Sequence, residues 1–301
     1  MRRSTRRPGD EHRPRHGATG NTGVPILSGL VERDDVTVRA MVRHATGNDL
    51  RKGVQPVVAD FDTPETIRRA LEGVDAAYLV TPSSARAEAQ QLSFVEMAAE
   101  AGVSHLVVLS QLGSREDSPV RFLRYHAAVE RRVDELGLCH TFLCPNLFFQ
   151  GLYAMAGLIT ATGRFVAPIG DARVSAIDVR DIADVAVAAL LDEVAPNQTL
   201  TLTGPRAVTH AEMAQALGEG LGRDIGFDDI DPHAFAVLLE GILPPWQIEG
   251  TLEDYAHYSR GEAAAITTTV QEITGHPARD VRQFAHDCAD RFRAAVPAES
   301  A

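Results

Sequence analysis

Five short strand-like runs, spaced by helix-length stretches, constrain this chain more than any other feature. They are Val36–Val42 (VTVRAMV), Val54–Ala59, Ala76–Val80, His105–Leu109 (HLVVL) and His140–Leu143. A run such as VVL shows no polar alternation, which fits a strand buried on both faces. Helical stretches lie at Thr22–Glu32, Pro64–Glu72, Ala85–Ala101 and Pro119–Leu136. Strands separated by helices of this length predict βαβ units, a parallel sheet and right-handed crossovers. The punctuation agrees. Thr63-Pro64 predicts an N-cap followed by proline in the first turn. Gly73, Gly102 and Gly137 each follow a predicted helix, where a left-handed cap favours glycine. After residue 150 the pattern changes. A Gly- and Pro-punctuated stretch (Gly163–Gly170) leads to a strong helix at Val179–Asp192, a strand at Thr199–Thr203, a helix from Thr209, a short strand near Gly226–Asp228 and further helices.

Ahead of the first of these helices stands Gly17-Ala18-Thr19-Gly20-Asn21-Thr22-Gly23. Glycines at spacing three and three, opening an amphipathic helix, suit a turn beneath a dinucleotide pyrophosphate. Glycine lets the backbone approach the phosphates, and the helix N-terminus offers unpaired N–H groups and partial positive charge. Gly17, Thr19, Gly20, Asn21, Thr22 and Gly23 are therefore candidate cofactor contacts. At the end of the next strand, an acidic residue would bind the ribose diol of NAD, whereas arginine accommodates the extra phosphate of NADP. This chain has Arg43 there and no acid. A guanidinium matches phosphate with two parallel hydrogen bonds, so NADP(H) is favoured over NAD(H). The alternative is a solvated surface arginine. Asp60 and Phe61, after the following strand, flank the adenine in one reading; in the other, Asp60 makes a strand-end Asx turn.

The balance of charge narrows the function classes. The chain of 301 residues has 29 Lys+Arg against 41 Asp+Glu, a formal charge of −12. That acidity argues against a general nucleic-acid binder, which needs a basic footprint. The distribution is uneven, because residues 1–16 hold six arginines against Asp10 and Glu11 alone. Three scattered cysteines do not make a disulfide framework or a zinc knuckle, and no metal site is expected. No apolar run is long enough to span a membrane, and the basic head lacks the apolar core of a secretory signal. A cytoplasmic protein with reduced thiols follows. Monomer and homodimer both remain open.

Nine blocks, taken together, resemble the NmrA-like branch of the atypical short-chain dehydrogenases/reductases. They are GATGNTG, VRAMVR, the DFD around Asp60, YLVTP (Tyr78–Pro82), LVVLSQLGS (Leu106–Ser114), HAAVE (His126–Glu130), PNLFFQ (Pro145–Gln150), APIGDARVSAIDVRDIADVA (Ala167–Ala186) and LTGP (Leu202–Pro205). The resemblance implies an α/β fold of Rossmann type. It is a doubly wound parallel sheet with a smaller α-rich C-terminal substrate region. Residues 17–150 form the dinucleotide-binding region and 151–301 the substrate region, packed on the same core. It further implies NAD(P)H over the C-terminal edge of the sheet, with Thr81, Pro82 and Pro145 beside it, and a pocket walled by Leu112, Phe148, Phe149 and Trp246. Taken singly, each of these four reads as core before it reads as a pocket wall; within the PNLFFQ block, Phe148 and Phe149 read equally as either.

Two departures matter. The family's Tyr-x-x-x-Lys dyad falls on Phe122 and His126, which share a helix face. Phenylalanine donates no proton. His126 is left to hydrogen-bond the ribose or the substrate, or to pack, and Ser110 matches the family serine that contacts substrate or nicotinamide. Without a donor, the expected acceptor is one whose reduced form is a stable anion, or a cation needing only hydride. That means a quinone, an imine or iminium, or an activated ketone. The alternative is a non-catalytic NADP(H)-binding redox sensor. The second departure is the first strand, which the family places just before the glycines. Here that segment is Asp10-Glu11-His12-Arg13-Pro14-Arg15-His16. Proline is excluded from central strands, and unpaired buried arginine is prohibitive. We read residues 1–16 as the product of a shifted frame or misplaced start rather than as a lost strand.

Overall fold

The computed structural model describes residue 18 and residues 20–33, 35–44 and 52–293. Residues 1–17, including Gly17 and the whole atypical head, lie outside the described residues, as does Thr19. β1 (Val38–Val42) pairs in parallel with β2 (Val54–Val58), Val38 opposite Val54. Pro56 sits inside β2, and half of that strand faces solvent, as an edge strand with a proline requires. A second parallel sheet joins β3 (Ala76–Leu79), β4 (His105–Leu109), β5 (His140–Pro145) and β7 (Gln198–Leu202), in the order β3-β4-β5-β7. A separate parallel pair, β6 (Arg164–Ala167) with β8 (Gly226–Asp229), belongs to the C-terminal half. Among the described residues the main sheet thus comes in two pieces, β1-β2 and β3-β4-β5-β7. The expectation about the first strand falls on residues outside the described ones.

β4 shows why its sequence carries no polar alternation. Leu106 and Val108 face α2 (Pro64–Leu71), α3 (Ala87–Ala101) and α4 (Arg121–Glu135), packing with Ile67, Phe94, Val95, Val129 and Val133. Val107 and Leu109 face the opposite layer. There Ile26 of α1 (Gly23–Leu30) meets Ile182 and Val185 of α6 (Val179–Leu190) and Val270 of α10 (Thr269–Thr274). Both faces are covered by helices, as a doubly wound sheet demands.

The remaining helices are α5 (Ala156–Thr162), α7 (His210–Leu221), α8 (Pro232–Leu239), α9 (Pro245–Ser259) and α11 (Val281–Asp287). They enclose a third core with Phe165, Leu217 and Phe284 fully buried. α7 opens with a complete capping box, Thr209 and Glu212 each bonding the other's backbone N–H. Two buried carboxylates at the start of α6 join it to its surroundings. Asp178 caps α6, accepts from Gln150 and pairs with Arg180. Asp181 pairs with Arg279, just before α11. The glycine of the LTGP block has a packing reason. A Cβ on Gly204 would lie 2.1 Å from the carbonyl oxygen of Ala176.

Several expectations needed correction. The Gly163–Gly170 stretch contains β6, whose four residues are too short to show a period. Thr63 precedes α2, but its side chain makes no capping hydrogen bond; its carbonyl accepts from the Thr66 hydroxyl instead. The helices expected from Thr22, Ala85 and Pro119 begin at Gly23, Ala87 and Arg121, ordinary uncertainty for helix ends. Gly73, Gly102 and Gly137 do adopt positive φ, at 63°, 73° and 65°.

Candidate active site

The described part of the glycine loop feeds directly into α1. Gly20, Thr22 and Gly23 are buried and Asn21 is exposed. Thr22 precedes the helix without capping it, and no acidic residue lies in the first turn. A helix start without a capping side chain or nearby acid is suited to an outside anion. α1 is held close to α6 at Gly29, where a Cβ would stand 2.9 Å from Val187. Arg43 follows β1 immediately and is exposed, with no ion pair among the described residues.

Beyond β2, Asp60 makes a strand-end turn. Its carboxylate accepts from the backbone N–H of Asp62 at 2.9 Å, the Asx turn. Phe61 turns its ring onto Phe94, 5.9 Å between centroids. After β3, Thr81 is buried and accepts from the Gln91 side chain at 2.8 Å, with Pro82 and Ser83 partly exposed beside it. After β5, the Pro145 carbonyl accepts from Leu112 N–H at 2.9 Å, so the loops leaving β4 and β5 are stitched together.

Ser110 ends β4 and is buried; its hydroxyl donates to Glu130 of α4. Glu130 also accepts from Ser114 at 2.9 Å and lies near the Cys144 thiol, 3.8 Å away. One carboxylate thus gathers three donors from the ends of β4 and β5. Burial, aided by the charge of Glu130, pushes the Cys144 thiol far above its ordinary range and keeps it inert.

On α4, Phe122 is buried against Trp246 of α9, 5.4 Å between ring centroids. His126, one turn further on, is buried too, and burial pulls its imidazole down to about 3. The ring is neutral at working pH, and its Nδ1 has no hydrogen-bond partner among the described residues. The Tyr125 ring lies tilted against it, 4.1 Å between centroids, with its hydroxyl beside Ser83. The Tyr78 hydroxyl, close to Thr22, is likewise buried and makes no hydrogen bond of good geometry among the described residues. A buried polar atom left unpaired is costly. Two of them, one beside the glycine loop and one at the family's lysine position, fit a polar ligand lying along the C-terminal edge. Nicotinamide dinucleotide matches: the loop would hold its phosphates, Arg43 a 2′-phosphate, and His126 Nδ1 a ribose hydroxyl. When bound, it supplies a hydride.

Of the pocket residues, Trp246 and Leu112 lie around this edge. Phe148 is partly buried against the α1/α6 layer, with Ile177 paired to its backbone. Phe149 does not join them. It is 2 % exposed and stacks on Phe284 inside the C-terminal core, 5.4 Å between centroids, so it is a core residue rather than a wall. Sequence reasoning missed Gln111 and Asp254. Gln111 follows Ser110 and donates from its side chain to Asp254 of α9 at 3.0 Å. Arg121 holds α9 in place through Glu249 and Glu253, with its guanidinium 5.6 Å from the Trp246 ring. Among the described residues, no group of three or more His, Cys, Asp or Glu is placed to hold a metal.

Comparison with known proteins extends this picture. Residues 17–193 match a family described as NAD(P)H-binding. The chain is 34 % identical to an NAD(P)H azoreductase of Xenophilus azovorans over 282 residues, covering 93 % of this chain and 98 % of that one. It is 33 % identical to a (4-alkanoyl-5-oxo-2,5-dihydrofuran-3-yl)methyl phosphate reductase of Streptomyces griseus, covering 92 % and 97 % of the two chains. Its fold matches the crystal structure of an NADPH-dependent quinone oxidoreductase from Escherichia coli complexed with NADPH. The TM-score is 0.79 at 22 % identity, over 90 % of this chain and 97 % of that one.

Proposed function

Since the chain belongs to the NAD(P)H-binding family, in its NmrA-like branch of atypical short-chain dehydrogenases/reductases, we propose that it is an NADPH-dependent oxidoreductase. In this reading it transfers hydride to a quinone or another electrophilic small molecule, such as an imine, iminium ion or activated ketone. The observation that carries the proposal is the end-to-end likeness to an NAD(P)H azoreductase at 34 % identity, because an azo group is also a soft, conjugated acceptor. The site supports it. Phe122 removes the usual tyrosine donor, while the uncapped start of α1 and the neutral, unpartnered His126 suit a dinucleotide.

In this account His126 and Ser110 line the reacting end. His126 orients the ribose and Ser110 is fixed by Glu130. Gly20, Asn21, Thr22 and Gly23 hold the pyrophosphate, and Thr81, Pro82 and Pro145 shape the cleft. Trp246, Leu112 and Phe148 exclude water above it, which strengthens every polar interaction within. Residues 151–293 supply the roof through α9. We place the protein in the cytoplasm, a setting that suits its three free cysteines. No helix among the described residues is long and apolar enough to cross a membrane. Steady-state oxidation of NADPH and of NADH with a panel of quinones tests the reading. Saturable turnover with a preference for NADPH supports it; tight NADPH binding without turnover on any acceptor leaves a sensor instead.

A further inference from the structure

Phe122 stands where the family's proton donor would be, yet an acid from elsewhere in the fold reaches the same neighbourhood. Asp254 lies on α9, 143 residues beyond its partner Gln111. Gln111 is the residue after Ser110, and Tyr125, whose phenol feels the Asp254 charge, is the residue before His126. The carboxyl is therefore tied to the residue that follows Ser110 and stands near the phenol of the residue that precedes His126. Only Oδ1 is engaged, by Gln111; Oδ2 takes no hydrogen bond among the described residues, and the side chain is partly exposed.

We propose that Asp254 is the acid that protonates the acceptor as it is reduced, in place of the missing tyrosine. This rests on the oxidoreductase reading above. The balance for an activated ketone is simple. The carbonyl carbon takes the hydride, with its two electrons, from NADPH, which leaves as NADP+. The C=O π bond breaks, and its oxygen forms an O–H bond with the proton from Asp254 Oδ2. The carboxylate left behind is reprotonated by water. The product is the alcohol, one hydride and one proton richer.

The surrounding groups make Asp254 the one suited to this task. Burial raises its carboxyl to about 7; Glu253 adds to the rise and the Gln111 bond opposes it. Glu253 is itself neutralised by Arg121 of α4. From α4, Tyr125 is an unsuitable acid because burial lifts its phenol far above the ordinary range. Tyr255 and Tyr258, on α9 itself, are lifted the same way. His126 on α4 and His210 on α7, which packs on Tyr255, are pulled down to about 3 and about 4 and stay neutral. An acid with a pKa near working pH is the effective kind.

The test uses wild type, Asp254→Asn and Asp254→Glu. In the cofactor-free protein, the infrared carbonyl band of a protonated carboxyl is followed from pH 5 to 9. A band lost near pH 7 in wild type and absent from Asp254→Asn supports the assignment. With an activated ketone and saturating NADPH, kcat falls tenfold per pH unit above about 7 in wild type. In Asp254→Asn it falls about 100-fold and loses that limb, while NADPH affinity holds; Asp254→Glu regains a limb. A limb that persists in Asp254→Asn overturns the proposal, as does a loss of rate that only follows a loss of NADPH affinity. Wild type that reduces quinones but no activated ketone refutes the acid and leaves the oxidoreductase reading standing. Wild type that reduces no acceptor refutes both.

Discussion

Replacing Gly250 with alanine puts a methyl group where the ring of Phe122 already stands. The new Cβ would lie 2.3 Å from Phe122 Cζ, 2.5 Å from Cε1 and 2.9 Å from Cε2. Comfortable carbon–carbon contact is about 3.5–4.0 Å, so the ring or α9 must move by more than about 1 Å. The ring is not free to yield. It is 8 % exposed and flanked by Trp246 and Tyr125, with centroids 5.4 Å and 6.3 Å away. Overpacking of this kind costs about 1–3 kcal/mol. Alanine returns about 1 kcal/mol through its better helix propensity. The net loss is then about 0–2 kcal/mol, read as a lower urea midpoint at constant slope. The effect on rate is larger, because α9 carries both Trp246 and Asp254. A displacement of about 1 Å at a reacting site costs up to about 100-fold. Phe122→Leu in the Gly250→Ala background makes room and should recover both losses, with a coupling energy of about 0.5–3 kcal/mol. If Gly250→Ala instead gains the full helix-propensity term and keeps the wild-type kcat/KM, α9 does not dock on Phe122 as described.

Arg43→Ala should weaken NADPH binding, measured by quenching or calorimetry, far more than NADH binding; equal losses would remove Arg43 from the 2′-phosphate. Asp254→Asn should change how stability depends on pH. The folded carboxyl titrates near 7 against an ordinary 3.8, so between those values the folded state keeps a proton that the unfolded chain gives up. Wild-type stability therefore falls as pH rises from about 4 to about 7, by at most about 1.4 kcal/mol per pH unit, less screening at a partly exposed group. Urea midpoints for wild type and Asp254→Asn should converge towards pH 4 and separate towards pH 7, with the variant the more stable. Asp178→Ala strips the cap of α6 and the buried acceptor of Gln150 while Arg180 keeps Asp287, so a loss of about 1–2 kcal/mol is expected in chemical denaturation. A loss below about 1 kcal/mol would show the cap and the acceptor to be dispensable.

The layers of the fold were legible because they depend on local chemistry. The glycines at spacing three precede a helix that does start at Gly23, and the unalternated HLVVL run is buried on both faces. β6 was hidden because four residues flanked by Gly163 and Gly170 are too few to show a period. The PNLFFQ block misled in part. Phe148 and Phe149 are adjacent in sequence, but Phe148 is extended while Phe149 opens a 3-10 turn, and their side chains diverge. One packs on the α1/α6 layer and the other enters the C-terminal core. Asp60 was legible as a strand-end turn. Asp254 carried no signal at all. An aspartate in an amphipathic helix is ordinary, and it becomes chemically distinct only when α9 docks on α4 and brings it to Gln111.

The central claim is that this chain moves a hydride from NADPH to a small electrophile. An anaerobic single turnover tests it most directly, with enzyme, one equivalent of NADPH and excess quinone mixed in a stopped-flow cell. The account predicts complete loss of the nicotinamide absorbance, one hydroquinone formed per NADPH consumed, and a slower step when the transferred hydrogen is deuterium. Bound NADPH that keeps its absorbance in the presence of every quinone tried would contradict it.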